Sequence, residues 1–241
     1  VRTSLSPFGL VVTPEAGEDV CSLPPALLAR WVGQHRLVVL RGFPVVGVED
    51  LADCARAWGP LLRWDFGEVF DVTAVHAVPF HWDGPWAEQT PSYLFFHCPA
   101  APVSGWEMTF CDTTRLLASL SVDELRRWDG VTITYHGGYA DCVYSSRLVD
   151  VHPITGEPVL RYQEPHDPAA YPIPLLLEFT GVPDAAGLVA ELRDRLYDPR
   201  FCVTHRWQSG DFLLVDNHAL LHRRDPLPVA TLPPLHRVHI L

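Results

Sequence analysis

The rhythm of apolar and polar positions changes about a third of the way along the chain. Before that point the pattern is mixed. VEDLADCARAWG (48–59) sets Leu51, Ala55 and Trp58 at helical spacing and stops at Gly59, which predicts a helix. ALLARWVGQ follows Pro24 and Pro25 and predicts another, because proline fits a first helical turn. Between them RLVVLRGF (36–43) is a short β-branched run interrupted by Gly42, and it reads as a strand. From about residue 74 short apolar runs alternate with Gly, Pro and Asp. SYLFFHC (92–98), VTITYHG (131–137), PVLRYQ (158–163), FCVTHRW (201–207), DFLLVDN (211–217) and HRVHIL (236–241) read as strands. Helices are predicted around 113–128 and 184–197. VHPITGEPVLRY (151–162) predicts a hairpin that turns at Thr-Gly. Many short strands with frequent turns favour a β-sandwich or barrel-like fold. The expected class is mainly β with flanking helices, in a single domain over 1–241, a length such folds reach undivided.

Composition narrows the chemistry. Hydrophobic residues make up 48% and charged residues 20%, ordinary for a globular protein. No apolar run approaches the roughly 20 residues of a membrane span. VRTSLSPFGL lacks the basic-then-apolar layout of a signal peptide, so a cytoplasmic location without membrane contact is expected. The formal net charge of −11 argues against nucleic acid as a partner. All 18 basic residues are arginine. Without lysine there is no Schiff base, no P-loop lysine and no lysine general base. The absence of G-x-G-x-x-G and G-x-S-x-G disfavours nucleotide-binding and hydrolase readings. The six cysteines are scattered with no C-x-x-C, and read as buried thiols rather than a disulfide frame or zinc cluster.

PFHWDGPW (79–86) places His81 and Asp83 two apart, on one side of an extended segment. With 12 histidines in the chain, H-x-D alone is a weak motif. Two histidines and one carboxylate on one face are the ligand set of non-haem iron(II) oxygenases, so a third ligand is required. WQSGDFLLVDNHALLHRRD (207–225) offers His222 and, as a competitor, His218. Asp216 before Asn217 reads as a turn device. Arg237 opens the last apolar run, and an arginine fork suits a carboxylate cosubstrate such as 2-oxoglutarate.

These stretches carry a family resemblance. GDFLLVDNHALLHRRD followed by HRVHIL resembles the C-terminal signature of the taurine dioxygenase and TfdA-type iron(II)/2-oxoglutarate oxygenases. FHWDG and then APVSGWEMTFCDT (101–113) resemble that family's H-x-D loop and later Gly-Gly-x-Thr-x-F segment. RLVVLRGF and VHPITGEPVL match two further segments, in the family's order over 36–241. The resemblance implies a double-stranded β-helix (jelly roll). It implies iron(II) held by His81, Asp83 and His222, which His218 fits less well. It also implies 2-oxoglutarate with its far carboxylate on Arg237, and O2 as oxidant. VPFHWDG, PSYLFFHCPAAP and VLRYQEP further resemble a subgroup that oxidises aromatic amino-acid isonitriles in isocyanide biosynthesis. The implied activity is hydroxylation, desaturation or cyclisation of a small amino-acid-derived metabolite in natural-product biosynthesis. The alternative is a non-catalytic or 2-oxoglutarate-independent metal-binding jelly roll.

Two departures touch the cosubstrate. Where the family has a threonine this chain has Met108, with Thr109 beside it, and a thioether cannot donate a hydrogen bond. Where some members carry a second arginine stands Pro233. Arg237, Met108 and Thr109 are therefore the expected cosubstrate contacts. Phe80, Trp82 and Trp86, with Tyr93, Tyr135, His136 and Tyr139, are expected pocket walls. Arg147 and Arg161 are candidates for a substrate carboxylate, against the plainer reading of salt bridges. Arg223 and Arg224 either pair with Asp225 or face the site. Nothing in the sequence speaks to oligomeric state.

Overall fold

The computed structural model describes residues 1–72, 76–101, 107–137, 143–166, 174–225 and 235–241. Its strands are β1 (Arg2–Ser4), β2 (Leu10–Val12), β3 (Leu37–Leu40), β4 (Val69–Val72), β5 (Val78–His81), β6 (Tyr93–Cys98), β7 (Met108–Asp112), β8 (Thr132–Gly137), β9 (Val143–Arg147), β10 (Val149–Val151), β11 (Pro158–Leu160), β12 (Leu175–Thr180), β13 (Cys202–His205), β14 (Asp211–Asp216), β15 (Leu220–Arg224) and β16 (Leu235–Ile240). Its helices are α1 (Pro25–His35), α2 (Val48–Arg56), α3 (Thr113–Ala118), α4 (Val122–Asp129) and α5 (Ala185–Leu196). The fold is mainly β with few helices, as the apolar rhythm predicts.

The larger sheet has seven strands in the order β1-β2-β3-β14-β6-β16-β4. All six residues of β14 are buried, because the sheet is covered on both faces, and a strand so placed reads as a continuous apolar run. On one face Phe95, Phe212, Val238 and Ile240 pack under Leu28, Trp31 and Val32 of α1 and Leu51 of α2. On the other, Phe96, Leu213 and Leu235 meet Met108, Phe110 and Leu220 of a second sheet, ordered β13-β7-β15-β5. The outer face of that second sheet carries Phe80, Cys111 and Leu221. These join Trp82, Ile133, Tyr135, Leu160 and Leu192 in a third core layer.

Several features depart from the sequence reading. The helix expected over 113–128 is two helices. Ser121 accepts from the backbone N–H of Glu124 while the Glu124 carboxylate accepts from that of Ser121, a capping box that starts α4 afresh. β7 and β15 were not expected as strands; both are buried almost throughout, so neither shows the alternation that marks a half-exposed strand. The expectation of six free thiols is also corrected: Cys21 and Cys54 form a disulfide, with Cα atoms 4.8 Å apart, within bridging range. The bond ties a short 3-10 turn, Val20–Ser22, to α2. The hairpin forms as expected, β10 pairing with β11 from Val149↔Leu160 to Val151↔Pro158. Among the described residues no helix is long and apolar enough to cross a membrane.

Candidate metal centre

β5 and β15 pair antiparallel with His81 opposite His222, their ring centroids 4.2 Å apart. Asp83 follows two residues after His81, so its side chain returns to the same side. Asp83 Oδ1 lies 3.5 Å from His81 Nε2 and 3.9 Å from His222 Nε2. The three ligand atoms lie within 4.8 Å of one another, and no other such His/Cys/Asp/Glu triplet occurs among the described residues. His218 is not in the group: its Nδ1 faces the Arg161 guanidinium. Burial and that neighbouring charge push the His218 imidazole down to about 4.

The backbone around Asp83 is clasped by Asn217, at the end of β14. Asp83 N–H donates to Asn217 Oδ1 at 3.0 Å. Asn217 Nδ2 donates to the carbonyls of Asp83 and Pro91, each at 2.9 Å. Asn217 N–H donates to Ser92 O. Gly84 then turns the chain at φ +78°, where a Cβ would stand 2.5 Å from Pro91 Cδ. Glycine alone meets both demands.

The protonation states suit a metal. His81 Nδ1 lies 2.8 Å from Pro79 O. A carbonyl only accepts, so Nδ1 carries the proton and Nε2 presents its lone pair. Burial, reinforced by His81, holds the His222 imidazole well below its usual range, and a neutral ring can ligate. Burial alone would raise the Asp83 carboxyl. The Arg237 charge and the hydrogen bond from His239 outweigh it and keep the group ionised. Two imidazoles and one carboxylate on one face leave the remaining metal positions open. His81, Asp83 and His222 therefore fit iron(II).

Arg237 and His239 both point from β16 towards Asp83. Arg237 Nη1 is 2.7 Å from Asp83 Oδ2, and the guanidinium lies over the Phe70 ring at 4.8 Å. Its Nε is buried with no partner among the described residues, a donor left over for a ligand. That orphan donor fits the far carboxylate of 2-oxoglutarate.

Period-2 alternation separates the other expected contacts. Met108 lies between the two sheets, whereas Thr109 points to the outer face, its Oγ1 3.0 Å from Thr204 Oγ1. Thr109 is therefore not brought to the site. Phe80 and Trp82 flank His81 in sequence and so turn the opposite way, into the third core layer. There Phe80 meets Tyr197 edge-on at 5.1 Å, and Trp82 meets Tyr135 at 6.0 Å. The expectation that Phe80, Trp82 and Tyr135 wall the pocket is corrected: they are core side chains. Trp86 packs partly buried against the same layer, and Tyr93 packs against the helix-covered face.

Arg147 forms an exposed ion pair with Asp129 at 2.7 Å and is likewise not at the site. Arg161 differs. It is 6% exposed, donates to Asn217 O at 3.0 Å and lies 5.5 Å over the Trp82 ring. It has no carboxylate in ion-pair range among the described residues. His136 faces Glu178 at the surface. Arg223 pairs with Asp225, and Arg224 donates to His76 O at 3.3 Å. Asp216 does serve the turn, accepting from the N–H groups of His218 and Ala219. It also receives Arg36 and His152. Gly105, Trp106, Tyr139 and Pro233 lie outside the described residues. The sequence reading missed Asn217, His239 and Trp64. His239 was within reach of it, standing two residues past Arg237 on the same strand face.

Comparison with known proteins bears on the family. Residues 9–240 match the family described as taurine catabolism dioxygenase TauD, TfdA family. The chain is 40% identical to 3-((Z)-2-isocyanoethenyl)-1H-indole synthase of Fischerella ambigua, over 99% of this chain and 94% of that protein. It is 34% identical to tyrosine isonitrile desaturase of Pseudomonas aeruginosa, over 97% and 87%. Among solved structures it is similar to PvcB, described as an Fe, alpha-ketoglutarate dependent oxygenase from an isonitrile synthetic pathway. That match has a TM-score of 0.82 at 32% identity, covering 97% of this chain and 86% of that one. The chain belongs to the TauD/TfdA family and is an iron(II)- and 2-oxoglutarate-dependent oxygenase.

Proposed function

We propose that this oxygenase desaturates an isonitrile made from an aromatic amino acid, in one domain whose facing sheets form a double-stranded β-helix. The observation that carries the reading is the cluster of His81, Asp83 and His222 with Arg237 alongside, in a chain 40% identical to an isocyanoethenyl-indole synthase. His81 Nε2, Asp83 Oδ1 and His222 Nε2 hold iron(II). Arg237 holds the far carboxylate of 2-oxoglutarate; Met108 contributes shape but no hydrogen bond. With both bound, iron and cosubstrate supply the oxidising power. Two hydrogen atoms leave the substrate while O2 and 2-oxoglutarate become water, succinate and carbon dioxide. No side chain is asked to act as acid or base. Phe96 and Phe110, with ring centroids 6.4 and 6.0 Å from that of His222, keep water from the ligand. Arg161, a buried cation with no carboxylate in ion-pair range among the described residues, receives the carboxylate of the substrate.

The test is anaerobic titration with iron(II) and 2-oxoglutarate, followed by the visible charge-transfer band, then succinate and product analysis with tyrosine and tryptophan isonitriles. Wild type is expected to give the band, succinate and an alkene. His81→Ala, Asp83→Ala and His222→Ala are each expected to abolish all three. Full turnover by any one of them removes that residue from the ligand set.

A further inference from the structure

We propose that His239 is a positioning residue that keeps Asp83 aimed at the metal while Arg237 serves the cosubstrate. This rests on the ligand set proposed above. The two oxygens of Asp83 have separate tasks. Oδ1 faces the imidazoles of His81 and His222. Oδ2 faces Arg237 Nη1 at 2.7 Å and His239 Nε2 at 3.0 Å.

The direction of the His239 bond follows from Trp64. The Trp64 indole N–H lies 3.0 Å from His239 Nδ1, and an indole nitrogen only donates. Nδ1 is therefore the acceptor, and the N–H of the neutral ring sits on Nε2, aimed at Asp83. Trp64 also packs edge-on against the ring at 5.6 Å. His239 is 2% exposed, so no bulk water competes for the bond.

Arg237 is not dedicated in this way. Its Nε, without a partner among the described residues, marks it for a second ligand, and turning towards that ligand loosens its grip on Asp83. The bond from His239 does not depend on that movement. Without His239, Asp83 and 2-oxoglutarate would compete for one guanidinium. Two binding events that are compatible in the parent would then oppose each other.

The experiment is Mn(II) titration of the full chain by electron paramagnetic resonance, with and without 2-oxoglutarate. In the parent, 2-oxoglutarate is expected to leave Mn(II) affinity unchanged or tighten it. In His239→Leu, affinity is expected to fall about tenfold, in the range for loss of a partner behind a metal ligand, and 2-oxoglutarate is expected to weaken it further. His239→Gln, whose amide N–H can reach the same oxygen, is expected to recover most of the loss. Trp64→Phe keeps the ring packing and removes only the donor; it is expected to weaken binding a few-fold. Trp64→Phe also covers the case in which His239→Leu does not fold, as judged by circular dichroism. Parent-like affinity in the folded variants, with and without 2-oxoglutarate, overturns the proposal. His222→Ala separates the two readings. If it binds Mn(II) like the parent, the ligand set is wrong. If it loses Mn(II) while His239→Leu and Trp64→Phe match the parent, only the positioning role is wrong.

Discussion

Replacing Asn217 by alanine tests whether the clasp around Asp83 sets the metal site. The side chain is fully buried and makes three hydrogen bonds of 2.9 to 3.0 Å, two to the Asp83 backbone and one to Pro91. Its removal strands one N–H and two carbonyls. Each buried group left unpaired costs about 1–3 kcal/mol. Partial rescue by water entering the space lowers the sum, so about 3 kcal/mol is expected. For a chain of this size that corresponds to a melting temperature lower by about 6–12 °C. Calorimetry without metal reads this loss. Mn(II) titration reads a second one, because Asp83 no longer leaves β5 at a fixed angle; affinity is expected to fall about 10–100-fold. Asn217→Asp keeps the shape but sets a carboxylate against two carbonyls, and is expected to do no better. If Asn217→Ala melts within about 1 °C of the parent and binds metal equally well, the clasp does not hold Asp83.

Two further outcomes are expected. Arg161→Leu should raise the KM for a carboxylate-bearing isonitrile at least tenfold while leaving 2-oxoglutarate chelation intact, whereas Arg147→Leu should match the parent, because its exposed pair with Asp129 is worth under about 1 kcal/mol; steady-state kinetics with both variants decides. His97→Phe should stabilise the protein more at pH 5 than at pH 7.5 in paired thermal melts. Burial, helped by the nearby His236, pushes the His97 imidazole down to about 4. A depressed folded pKa confers stability above the unfolded value of about 6.5, and that stability is lost as pH falls towards 4. Phenylalanine removes the penalty and retains the stack on Phe212, whose centroid lies 4.2 Å away.

Much of this architecture is legible in the chain, and the limits have physical causes. Proline in the first turn marks α1, helical spacing marks α2, and an unbroken apolar run marks β14. His81 and Asp83 follow from the i, i+2 rule; His222 and Arg237 follow from the resemblance. The same i, i+2 rule turns Phe80, Trp82 and Thr109 away from the site, against the reading that took nearness in sequence for nearness in space. Asn217 looks like half of a turn because its partner Asp83 lies 134 residues earlier. The Cys21–Cys54 bond likewise depends on where α2 docks, which no spacing of six scattered cysteines reveals. Arg161 and Arg147 look equivalent as arginines in central strands; only burial separates them.

The strand order has a consequence for biosynthesis. β14 lies between β3 and β6 in the larger sheet, yet a ribosome delivers it after both. Until residue 216 has emerged, β3 and β6 cannot reach their final neighbour, and each presents an unpaired apolar edge. Such edges recruit other chains, and pairings between distant segments form slowly. The proposed metal ligands are divided the same way, with His81 and Asp83 made before β14 and His222 after it. Until β14 is made the nascent chain carries two of the three proposed ligands and an unfinished sheet. Chaperone protection during translation, rather than better packing, is where soluble yield stands to be gained.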